Sequence, residues 1–308
     1  MSGADQKRSV SETDQGGGET PKPERIAKVL ARAGLCSRRE AERWIAEGRV
    51  QVEGETLTTP AFTVNAEARI TVDGEPLPQR QKTRLWIYHK PAGLITTNRD
   101  PEGRPTIFEK LPGDLPRVVT VGRLDIASEG LLLLTNDGEL ARRLELPASG
   151  WTRRYRARVY GRVDAKALAG LAKGVTVEGV TYGPIEAKLE VAKGEVGKEK
   201  SAGKGSRANS WLVVSLAEGR NREVRRVLGH LGLTVSRLIR TAYGPFQLGK
   251  LKPGTLRPVP QKVLDEQLGT APKGKEKPPE KKTEKKPPKK KTKRKTLSIG
   301  KAHANRRG

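Results

Sequence analysis

The feature that most constrains this chain is a run of four leucines, Leu131 to Leu134, set between a polar loop and a turn. Residues 121–138 read VGRLDIASEGLLLLTNDG. The run is short and wholly apolar, and the Asn136-Asp137-Gly138 that follows is turn chemistry. Length and flanks together predict a buried strand. One carboxylate, Asp125, lies in the preceding loop between Gly122 and Gly130. It would be fixed at the edge of a core on a rigid support, which is how a catalytic group is held. Taken alone, a loop aspartate reads first as a turn or cap residue.

The segments around this stretch alternate between strand and helix signals. Leu85 to Tyr88 reads as a strand, His89-Lys90-Pro91-Ala92-Gly93 as a loop, and Leu94 to Thr97 as the start of another strand. Residues 99–116 are rich in Pro and Gly and read as loop; Val118 to Val121 feeds the Asp125 loop as a strand. Glu139 to Glu145 is a short helix with Leu140 and Leu144 inward. Tyr155, Ala157 and Val159 alternate with Arg154, Arg156 and Arg158, the period of a half-buried strand with a basic outer face. Helices over 165–173 and 222–231 are interspersed with strands over 175–180, 185–191, 211–216 and 235–239. This order predicts an α+β domain with a mostly antiparallel sheet over residues 85–262.

Upstream, residues 24–84 predict a smaller module. Ile26, Val29, Leu30 and Ala33 recur at helical spacing, and Gly34 stops that helix. Ser37-Arg-Arg-Glu40 is a capping box that opens a second helix. Val50 and Val52 before Glu53-Gly54, and Ile70 and Val72 before Asp73-Gly74, read as strand and turn pairs. Four arginines, Arg38, Arg39, Arg43 and Arg49, fall within twelve residues of this module. That density favours phosphate contact over a merely soluble surface.

Charge names the class of partner. The net charge of the 308 residues is +26, which suits a polyanion, nucleic acid before acidic membrane. Residues 271–308 carry 16 Lys and Arg against 3 Glu, half of that excess, and read as a disordered polycation. Residues 1–23 read as a disordered arm without the apolar stretch of a secretory signal, and 193–208 as a flexible loop. No stretch approaches the roughly 18 apolar residues of a membrane helix. Cys36 is the single cysteine, which excludes an intrachain disulfide and makes the cytoplasm the simplest compartment. His89, His230 and His303 are far apart and lack cysteine partners, so no metal site is expected. Gly203-Lys204-Gly205-Ser206 lacks the spacing of a phosphate-binding loop, so no nucleotide cofactor is expected.

Several segments, in order, resemble the RsuA/RluB family of ribosomal RNA pseudouridine synthases. RIAKVLARAGLCSRREAERWIAEGRVQVEGE over 25–55 is similar to an S4 RNA-binding domain. HKPAGLITT (89–97), GRLDIASEGLLLLTNDGELARRL (122–144), RRYRARV (153–159), EGRNREVRRVL (218–228) and RLIRTAYGPF (237–246) are similar to the family's catalytic domain. The region ELPASGWTRRYRARV and the long extensions look closer to the large-subunit branch of the family. The resemblance implies that Asp125 is the catalytic aspartate, that Tyr155 stacks on the target base and that Arg225 pairs with the aspartate. It implies isomerisation of uridine to pseudouridine within RNA, without cofactor or metal. The partner implied is ribosomal RNA or a pre-ribosomal particle; nothing in the sequence points beyond a monomer.

Each role has a plainer reading. Tyr155 on an alternating strand reads as core, and Arg225 has basic rivals in Arg222 and Arg226, with Arg222 one helical turn away. Lys90, Arg123 and Arg222 join the S4 arginines as candidate RNA contacts. A binding factor of the S4 type without catalysis is the alternative, and it has no need of Asp125, Tyr155 and Arg225 together.

Overall fold

The computed structural model describes residues 23–146, 150–190 and 208–268. Residues 1–22 of the expected arm, 193–207 of the expected loop and the tail from 271 lie outside the described residues.

The amino-terminal module is built as its pattern predicts. Helix Ile26–Arg32 buries Ile26, Ala27 and Leu30, and helix Arg38–Ala46 buries Ala41 and Ile45. The Ser37 side chain accepts from the Glu40 N–H at 3.1 Å, one half of the capping box. The Glu40 carboxylate turns instead to Arg43, 3.4 Å away. Val50–Val52 pairs antiparallel with both Glu55–Thr56 and Ile70–Val72, which closes a four-stranded sheet over the helices. Cys36 is inside this core, and burial pushes its thiol up to about 11, so it is inert at neutral pH.

The larger domain is built on a nine-stranded sheet, with a separate two-stranded ladder of Val175–Val177 and Val180–Tyr182. Its central order is Ile185–Leu189, Ala208–Leu216, Arg153–Gly161, Thr234–Tyr243, Ser128–Thr135, Leu85–Lys90, Leu256–Pro258. Neighbours are antiparallel except Thr234–Tyr243 and Ser128–Thr135, which run parallel through Leu238↔Ser128, Ile239↔Glu129 and Arg240↔Gly130. The α+β, mostly antiparallel expectation holds.

The leucine run sits near the middle of this sheet for a physical reason. Leu132 and Leu134 belong to the core on one face, Leu131 and Leu133 to the core on the other, and all four are fully buried. A strand covered on both faces reads as continuous apolar sequence. Helix Gly138–Glu145 then covers one face with Leu140, Ala141 and Leu144, its start capped by the Asp137 carboxylate.

Three local expectations change. The Leu85 strand continues through His89 and Lys90, where a loop was expected. Leu94 to Thr97 forms no strand, only an isolated bridge between Ile95 and Thr106. The helix expected from Arg222 starts at Glu223, and Arg222 itself is left-handed, with φ 53°.

Candidate active site

Asp125 is fixed by its backbone rather than its side chain. Its carbonyl accepts from the Ser128 N–H at 2.9 Å, which folds residues 125–128 into a turn. The Gly93 N–H donates to the Ile126 carbonyl at 2.8 Å, and the Thr96 hydroxyl donates to the Leu124 carbonyl at 2.7 Å. Beneath the turn lies the Lys90 ammonium, fully buried, which donates to the carbonyls of Asp125 at 3.1 Å and Ser128 at 2.9 Å. Burial lowers its pKa to about 8, against the opposing pull of Asp125 and Glu129. Lys90 is thus withdrawn from any RNA-facing surface, a correction to its expected phosphate contact. Its place at the end of the strand beside the Ser128–Thr135 strand is a tertiary fact, and the His89-Lys90-Pro91 sequence alone reads as loop.

The side chain of Asp125 opens into a cavity of about 400 Å³. Tyr155, Arg123, Arg222 and Arg240 line the same space. Tyr155 is carried by strand Arg153–Gly161, whose odd-numbered residues are buried, as the alternation predicted. The cavity therefore brings together the expected carboxylate and the expected aromatic surface from segments 30 residues apart.

The charge partner differs from the one expected. Arg222 Nη1 lies 3.6 Å from an Asp125 carboxylate oxygen. The Arg225 guanidinium donates instead to backbone carbonyls, to Val235 at 2.9 Å and to Ala127, inside the Asp125 turn, at 3.1 Å. Burial first, and then repulsion from Arg222, lowers the Arg225 pKa while Asp125 opposes. Arg222 holds the ion pair in this structure, and Arg225 braces the loop on which the aspartate stands.

The arginines of the small module divide. Arg38, Arg39 and Arg43 are exposed, as RNA contacts require, and so is Arg123 of the larger domain. Arg38 also lines a groove with Arg25, Lys28, Arg32 and Arg80, positive groups that the helix-two pattern did not single out. Arg49 is committed elsewhere: it makes two bonds to Asp73, at 2.9 and 2.6 Å, and stacks over Trp44. The sequence reading also missed Arg153 and Arg240, buried arginines on the cavity wall. The period-two pattern held the signal for Arg153, which shares parity with Tyr155 rather than with the outward Arg154. Among the described residues no cluster of His, Cys, Asp or Glu could hold a metal ion. No helix there is long and apolar enough to cross a membrane.

A sheet that brings an aspartate and a tyrosine into a cavity ringed by arginine, behind a basic helical module, defines an enzyme acting on a nucleic acid. Comparison narrows the class. A family described as RNA pseudouridylate synthase matches residues 84–230, and the S4 domain matches residues 24–70. A relative from Rickettsia felis, named as an uncharacterized RNA pseudouridine synthase, is 46% identical over 243 residues, covering 79% of this chain and 100% of the relative. Ribosomal large subunit pseudouridine synthase B of Pasteurella multocida is 46% identical over 236 residues, covering 75% of this chain and 65% of that one. A crystal structure of a pseudouridylate synthase aligns with TM-score 0.53 at 26% identity, covering 79% of this chain and 99% of the other. The chain belongs to the RNA pseudouridine synthase family, with an S4 domain in front of the catalytic domain. These likenesses favour the enzyme over a non-catalytic S4 binding factor.

Proposed function

We propose that this protein converts a specific uridine of large-subunit ribosomal RNA to pseudouridine. The observation that carries the reading is the shared cavity of Asp125 and Tyr155. The target base must leave its stack to be reached, and an aromatic face replaces lost stacking worth about 1–3 kcal/mol per base. Tyr155 supplies that face. As the N1–C1′ bond breaks, Asp125 stabilises the detached sugar; the base turns, C5 bonds to C1′, the C5 proton leaves and N1 gains one. Negative charge fixed in advance beside a developing positive centre is an efficient form of catalysis. Arg222 stands 3.6 Å from the carboxylate, and Arg225 keeps its loop in place.

The domains we assign are 24–84 for RNA grip and 85–262 for chemistry. The large-subunit assignment rests on the Pasteurella relative. The enzyme acts as a cytoplasmic monomer without nucleotide or metal, and the lysine-rich segment 271–308 adds affinity through counterion release.

The test is Asp125→Asn, with pseudouridine in ribosomal RNA and RNA affinity measured separately. The expected result is loss of product by at least about 1,000-fold, with binding within a few-fold of wild type. A variant that still forms pseudouridine would remove Asp125 from the mechanism.

A further inference from the structure

The cavity contains a buried cation that the proposed mechanism does not use. Arg240 is 3% exposed, yet among the described residues one acceptor meets it: Nε donates to the Leu131 carbonyl at 2.7 Å. Nη2 is buried without a partner. A guanidinium has five N–H donors, and a buried donor without an acceptor is costly. Its flat face rests near the Tyr243 ring, 5.2 Å from the centroid, which partners the charge without satisfying the donors.

Position tells what the free donors face. Arg240 is the cross-strand partner of Tyr155, and residues directly opposite in an antiparallel pair project to the same face. On its other side the neighbour is Gly130, where a Cβ would lie 2.3 Å from the Arg240 carbonyl oxygen. Arg240 lines the cavity into which Asp125 opens.

Resting on the uridine-isomerising reading above, we propose that Arg240 reads the flipped base: its free Nη2 donors meet a ring carbonyl oxygen of the uracil stacked on Tyr155. The base brings acceptors to donors that otherwise have none, so the desolvation already incurred at Arg240 is recovered when uracil enters. A purine or an amino-bearing ring edge would bring donors or bulk to the same place. A phosphate is the other oxygen acceptor that could meet a guanidinium. The depth of Arg240 on the Tyr155 face argues for the base.

The experiment is a cycle between protein and substrate. An RNA fragment carrying the uridine that the wild-type protein converts is prepared with uridine, 2-thiouridine or 4-thiouridine at that position. Sulfur is a weak acceptor, so one of the two replacements should lower wild-type kcat/KM by about 10- to 100-fold, the worth of a charge-assisted hydrogen bond. Arg240→Lys and Arg240→Gln should show a loss of similar size on uridine, and the sulfur replacement should then cost them little more. Melting temperatures are recorded for every variant. If both variants keep the full wild-type sulfur penalty, Arg240 does not touch the base and the proposal is overturned. If neither sulfur replacement affects the wild type and the variants instead flatten the salt dependence of binding, Arg240 holds phosphate and the proposal is overturned. A wild-type protein that converts no uridine in ribosomal RNA would refute the function itself rather than the role of Arg240.

Discussion

At the scale of single residues, Arg222 and Arg225 show how two like side chains acquire different work. Arg222 is half exposed and meets Asp125 at 3.6 Å, so water screens the pair and its contribution to stability is at most about 1 kcal/mol. Arg225 is half-buried and ties two carbonyls, those of Ala127 and Val235, to one helix. Hydrogen bonds from a charged donor are worth about 1.5–3 kcal/mol. Arg225→Met should therefore lower the melting temperature by several degrees and reduce kcat as the Asp125 turn loosens. Arg222→Ala should leave melting within a degree or two while still reducing kcat. Thermal scans beside single-turnover rates separate the two. Equal melting losses would show that the ion pair stabilises as much as the brace and overturn this division. The sequence could not order this pair because it treats both as members of one helix. Arg222 lies outside the helix, left-handed, and its side chain leaves in a direction that helical spacing does not describe.

At the scale of elements, legibility follows from whether a residue's environment is set by its neighbours in sequence. The leucine strand, the Tyr155 strand and the helix after Asp137 were legible because their patterns are periodic and their ends are turn or cap chemistry. Lys90 was not legible: a lysine before proline reads as loop, and the turn at Asp125 packed above it adds carbonyl acceptors for its ammonium to the one that Pro91 supplies. Arg240 was hidden in the same way, being polar on a face that the pattern otherwise reserves for Leu238 and Ala242. The parallel crossing of Thr234–Tyr243 with Ser128–Thr135 was equally hidden, since nothing local dictates it. Its requirement is Gly130, which has φ +105° and no room for a Cβ against the Arg240 backbone. Gly130→Ala should cost about 3 kcal/mol or more, because strain and close contact add. Denaturant unfolding checks this. A loss below about 1 kcal/mol would mean that the two strands can part locally without cost.

At the scale of the whole molecule, acidic groups on the catalytic domain hold the basic module in place. Glu139 pairs with Lys28 and, at 3.3 Å, with Arg32, both on the first helix of the S4 module. Asp137 accepts from Arg80 at 2.9 Å and from Thr83 at 2.8 Å in the connecting segment. Burial alone would raise the Asp137 pKa, but the Thr83 hydroxyl, the amides of Glu139 and Leu140, and Arg80 together hold it below the usual range. The Glu139 pairs, half exposed on the acid's side, are worth at most about 1 kcal/mol each, so they fix orientation without locking it. Glu139→Lys turns two attractions into repulsions and leaves the Asp125 cavity untouched. The radius of gyration from small-angle scattering should increase, and KM for ribosomal RNA should rise several-fold while kcat changes little. Salt should reproduce the opening in the wild type, because at 1 M the screening length is about 3 Å and these contacts lie near the surface. The variant keeps the Asp137–Arg80 pair but has repulsions in place of the Glu139 attractions, and salt relieves those, so it should open less than the wild type in the same salt. Scattering curves that coincide for wild type and variant at low salt would mean that apolar packing, not Glu139, sets the angle at which the basic module presents RNA to Asp125.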